Sequence, residues 1–134
     1  MKLIKGIVFF IIAVMIGSSS TMGQRPENFT KVVTENLVRS LDHEVQGVVE
    51  ASIYNSLFLA KYYPDANIKR VLNKLSTIAE DTSSPVVKYK AQLAVLYITN
   101  YSNSELNLEK YKEDQTELFR EISQMLTSNL LVSK

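Results

Sequence analysis

From Phe29 onward the apolar residues of this chain return every three or four positions, and no stretch alternates with a period of two. Residues three and four apart share one face of a helix, whereas a half-buried strand needs apolar residues at every second position. The spacing therefore predicts an all-α chain. Its 134 residues are room for one domain. With no Cys, neither a disulfide framework nor a thiol nucleophile is open to it, and with a single His a histidine-rich metal site is excluded as well.

Breaks in the pattern divide the helical part into five segments. The first is expected over residues 26–41, with Pro26 in the tolerated first turn and Phe29, Val32, Val33, Leu37 and Leu41 facing inward. The second covers 44–62, buries Val45, Val48, Val49, Ile53, Leu57 and Ala60, and stops at Tyr63, because the residue before Pro64 disfavours the helical region. A third runs over 67–80 from an Asp65 cap, with Ile68, Val71, Leu72, Leu75, Ile78 and Ala79 inward. Ser84 followed by Pro85 opens the fourth, which extends to 99 and buries Val86, Val87, Leu93, Ala94, Leu96 and Ile98. The fifth is expected as one continuous helix over 104–131, burying Leu108, Tyr111, Leu118, Phe119, Ile122, Met125, Leu126 and Leu130.

Residues 1–23 are of another kind. Lys2 and Lys5 precede a 12-residue apolar run over 6–17 (GIVFFIIAVMIG), and small residues at 18–21 and Gly23 follow. That order matches a secretory signal peptide, and a bilayer core needs about 20 apolar residues, so the run is short for a permanent anchor. The expectation is a signal peptide over 1–23, a mature domain over 24–134, and export to the periplasm or beyond. The alternative is a membrane-anchored protein that keeps this segment. Without it, 13 basic residues face 14 acidic ones, and no basic excess favours nucleic acid.

Shifting the chain by 38 residues places Val33 on Val71, Leu37 on Leu75, Val48 and Val49 on Val86 and Val87, and Ser56 on Ala94. A period near 40 holding two helices is a mark of stacked helical repeats. Residues 87–95 (VKYKAQLAV) resemble the second helix of a HEAT repeat, with a Val and a basic residue followed by small side chains at fixed spacing. Residues 49–57 (VEASIYNSL) are a degraded version with Glu50 at the basic position, and Asp42 and Asp81 sit in the turns. The resemblance implies a short α-solenoid with antiparallel pairs over 26–62 and 65–99 and a capping helix over 104–131. It also implies that the second helix of each pair lines a partner-binding side.

Few residues invite chemistry. Asp42 and His43 are adjacent in a turn, where a catalytic acid–imidazole arrangement is hard to make, and the second histidine of a zincin motif is missing. Glu109, Glu113, Glu117 and Glu121 fall four apart, which on one helix is a solvated face. No glycine-rich phosphate loop or nucleophile elbow is present. The expectation is a non-enzymatic module with no catalytic residue, cofactor or metal. Tyr54, Tyr62 and Tyr89, with Lys88 and Lys90, are its expected partner-binding residues, because tyrosine combines an apolar ring with a polar tip. Residues 61–90 hold six basic and three acidic side chains, and 104–121 the reverse, so the expectation is either partial electrostatic pairing of the capping helix with the second helix pair or a weakly polar surface that steers a partner.

Overall fold

The computed structural model describes residues 28–102 and 104–132. The expected signal peptide over 1–23, and Pro26, lie outside the described residues. Among those described, the chain forms α1 (Phe29–Leu41), α2 (Gln46–Tyr62), α3 (Ile68–Asp81), α4 (Pro85–Asn100), a 3-10 helix (Leu108–Tyr111) and α5 (Gln115–Val132), with no strand. No described helix is long and apolar enough to cross a membrane.

Short turns join the first four helices, so consecutive ones run antiparallel. Helix α1 packs on α2 and α3, and α4 packs on α2 and α3, while α2 and α3 touch only slightly. The result is two layers, α1 with α3 and α2 with α4. The core lies between them: Val33 and Leu37 of α1 and Val71 and Leu75 of α3 meet Ile53 and Leu57 of α2 and Ala91 and Ala94 of α4. Positions 38 residues apart thus play the same inward role at 33 and 71, 37 and 75, 53 and 91, and 56 and 94.

A third layer follows. The polypeptide after α4 crosses the other side of the α2–α4 layer as a strap, buries Leu108 and Tyr111, and leads into α5, whose Leu118, Phe119 and Ile122 join the core. This corrects the expected continuous helix over 104–131. Asn107 accepts the Glu109 N–H at 3.1 Å, and Asp114 accepts the Glu117 N–H at 3.1 Å. Each side chain caps a new helical start, which divides the segment in two.

Other boundaries also shift. The cap position of α3 is Asn67, not Asp65, and its side chain makes no capping bond. Ser84 does cap α4, accepting from the Val87 N–H at 3.2 Å. Four valines and leucines expected inside are exposed: Val32, Val45, Val86 and Leu96. Val32 lies off the stripe that Val33 and Leu37 define, and Val45 precedes the first helical residue of α2. Val86 and Leu96 project from the side of α4 that turns away from α2 and α3, where the apolar spacing gives no warning because the opposite side is equally apolar.

Candidate functional site: the outer face of helix α4

The five expected partner-binding residues are separated by the fold. Tyr54 is 1% exposed and Lys90 6%, whereas Tyr62 and Tyr89 are 40% and 46% exposed and Lys88 is exposed as well. Tyr54 and Lys90 are therefore corrected from surface to interior.

Each has a physical reason. The strap lies over Tyr54, whose hydroxyl donates to the Leu108 carbonyl at 2.9 Å. Burial, reinforced by the nearby carboxylates Glu109 and Glu113, pushes its phenol up to about 12. Tyr97 is buried beside it, shares a 3.3 Å hydrogen bond with the Ser104 hydroxyl, and is likewise raised, chiefly by burial. Lys61 donates to the Ser104 carbonyl, so α2 and α4 both hold the strap. Lys90 reaches inward to Glu50 of α2, Nζ to Oε1 2.7 Å, and its ammonium stands 5.5 Å from the centre of the Phe119 ring of α5.

The exposed residues do not form one patch. Helices α2 and α4 run in the same direction, because two chain reversals separate them. Tyr62 ends α2 and packs its ring, tilted by 50°, against that of Phe58 with centroids 4.5 Å apart, while Tyr89 lies in the second turn of α4, at the other end of the layer. Around Tyr89 the fold assembles a surface the sequence did not announce. Val86, Tyr89 and Leu96 are all exposed, and their spacing sets them along one side of α4. Lys88 stands on the neighbouring side.

The charge asymmetry is absorbed differently from the expectation. Arg70 of α3 pairs with Glu35 of α1, Lys74 with Asp42 at 2.8 Å, and Lys90 with Glu50. Arg70, Lys74 and Lys90 of the second helix pair thus turn to acids of the first. Within α5, Arg120 pairs with its neighbour Glu117. The break at the 3-10 helix also disperses the acidic row, since only Glu117 and Glu121 share a helix.

A cleft of about 370 Å³ opens at the end where the α1–α2 and α3–α4 turns lie side by side, lined by Asp42, His43, Glu44, Lys74, Ser83 and Ser84 among others. His43 Nδ1 accepts the Val45 N–H at 3.0 Å, and Asp42 is held by Lys74. The two neighbours are thus committed to different partners. Among the described residues, no three His, Asp or Glu side chains are grouped to hold a metal ion.

No protein-family model, no curated protein and no solved structure matches this chain.

Proposed function

We propose that this is an exported, non-enzymatic binding or scaffolding module of HEAT-like architecture, which recognises a protein partner through the outer face of α4. The observation that carries the reading is the exposed row Val86, Tyr89 and Leu96 beside Lys88. An apolar row with a tyrosine at its centre and a cation on its flank suits a partner surface that is apolar at its middle and acidic at its rim. The two-layer packing of helix pairs and the 38-residue correspondence of inward positions support the repeat reading. In such an array the second helix of each pair faces the partner, and α4 occupies that place. The basic, apolar and small-residue order of residues 1–23 supports export.

The test is a photo-crosslinking residue at position 92, next to the row, in protein expressed in its native envelope. One adduct is expected, lost when Tyr89→Ser and Leu96→Ser are combined, while the urea midpoint stays within the error of the unaltered protein because both residues are exposed. An adduct that persists in the double variant removes the site. The mass of the mature protein tests the export reading: loss of about the first 23 residues agrees with a cleaved leader. A full-length band retained in the membrane fraction supports the anchored alternative.

A further inference from the structure

Residues 104–114 are a strap in the fold but carry the spacing of a helix. Positions 108, 111, 115, 118, 122 and 125 fall alternately three and four apart and hold Leu, Tyr, Gln, Leu, Ile and Met, so the stripe of one continuous helix runs from the strap into α5. Two side chains break it. Asn107 accepts the Glu109 N–H and Asp114 the Glu117 N–H, and each bond starts a helix afresh. Local spacing and tertiary packing thus ask the same residues for different backbones, and a conflict of that kind brings a second state close in energy. The docked strap has the stronger hold: Leu108 and Tyr111 are 0% and 9% exposed, and Tyr54 and Lys61 donate to the carbonyls of Leu108 and Ser104. A continuous helix gives up those contacts and sets Glu109, Glu113, Glu117 and Glu121 four apart, where like charges repel. One cost falls on the docked state instead. Gln115, at the junction of strap and α5, is 8% exposed, and its Oε1 has no hydrogen-bond partner among the described residues. An unmet buried acceptor weakens the state that buries it, and water relieves it when the junction opens.

We propose that residues 104–114 are a latch with two states: the docked strap, and a minor state in which they continue α5 as helix and uncover Tyr54, Lys61 and Tyr97 on the α2–α4 layer. Leu118, Phe119 and Ile122 anchor α5 in both states, so the latch lifts while the third layer stays in place. What it uncovers is distinctive. Tyr54 and Lys61 lie seven residues apart on one side of α2 and give their protons to main-chain carbonyls, and Tyr97 of α4 meets the Ser104 hydroxyl beside them. Lifting the strap frees these polar tips together with the apolar surface under Leu108. The strap crosses the opposite side of the layer from the exposed α4 row, so failure of the latch leaves the α4 reading standing.

Chemical-exchange saturation transfer on the isotopically labelled full chain reads the backbone of a minor state directly, through its Cα shifts. Residues 105–107 and 112–114, which lie outside helix in the strap, should show a minor state with helical shifts. Asn107→Ala combined with Asp114→Ala removes both breaks and puts the best helix former in their place, so it should raise that population about fivefold. Leu108→Ala loosens the docking and keeps the helix propensity, and it should raise the population too. Ser84→Ala removes a cap of α4, far from the latch, and should leave it unchanged. Absence of exchange in all of these proteins overturns the latch. So does a minor state with coil shifts, which is a frayed strap, or an equal rise in Ser84→Ala, which is general unfolding.

Discussion

At Lys90 three helices meet through one side chain: it belongs to α4, ion-pairs with Glu50 of α2 and lies under the Phe119 ring of α5. Both charged groups are withdrawn from water, with side chains 8% and 15% exposed. Removing Glu50 takes the carboxylate from the buried Lys90 ammonium, at about 3–5 kcal/mol, and removing Lys90 takes from Glu50 its 2.7 Å ion pair, whereas replacing both by apolar groups of like volume is close to neutral. Lys90→Met alone and Glu50→Leu alone are therefore expected to lower the urea midpoint sharply. The double variant should recover most of the loss, and a double-mutant cycle that shows no coupling would refute the pairing. Tyr54 offers a second measurement. Its phenol titrates near 10 when unfolded and at about 12 when folded. The unfolded state thus sheds its proton first, and stability is full below pH 10 and declines as pH rises from 10 towards 12. Tyr54→Phe should cost about 1 kcal/mol at neutral pH for the lost bond to Leu108. It should also give a shallower alkaline decline in urea titrations, with Tyr97 and Tyr62, whose phenols are likewise raised chiefly by burial, supplying the part that remains.

The individual helices differ in how they are held. Helix α3 is strongly sided, with Val71, Leu75 and Ala79 inward and Lys69, Arg70 and Asn73 in solvent, so its orientation is written in its own spacing. Helix α2 buries 11 of its 17 residues, and no single stripe orients it. It keeps polar residues inside by local means: the hydroxyl of Ser52 donates to the Val48 carbonyl at 2.7 Å, and that of Ser56 to the Ser52 carbonyl at 2.8 Å. These bonds satisfy the buried hydroxyls and leave the helix surface smooth enough for close packing. Helix starts divide into capped and uncapped. Ser84 caps α4, and Ser84→Ala should cost about 1 kcal/mol. Asn67 occupies the same position of α3 without a capping bond, so Asn67→Ala should change stability by less than about 0.5 kcal/mol. Equal losses at the two positions, read from chemical denaturation, would contradict the assignment.

Across the whole molecule the third layer closes the structure. The strap and α5 cover Tyr54, Tyr97 and Lys90, and Leu108, Leu118, Phe119 and Ile122 complete the core that the two helix pairs begin. A chain ending at residue 103 would present those polar tips and a broad apolar surface to water. Its thermal transition should become broad or disappear in circular dichroism, and a sharp transition near that of the full domain would show that the pairs fold alone. The division between sequence and tertiary structure follows the range of the forces concerned. Helical class, the approximate span of each of the first four helices, the Ser84 cap and the paired inward positions at 33 and 71 or 37 and 75 were legible, because period and capping are set within a few residues along the chain. The break at Asn107 was not, since the apolar spacing runs on across it and the 3-10 start depends on a side chain turning back to its own backbone. Nor was the fate of the tyrosines and lysines. Tyr54 and Tyr89 belong to similar apolar helices, and Lys88 and Lys90 are two residues apart. Among the described residues, the strap above Tyr54, and Glu50 and Phe119 around Lys90, make one of each pair interior. An amphipathic side chain takes its burial from what lies opposite it, and what lies opposite comes from a distant part of the chain.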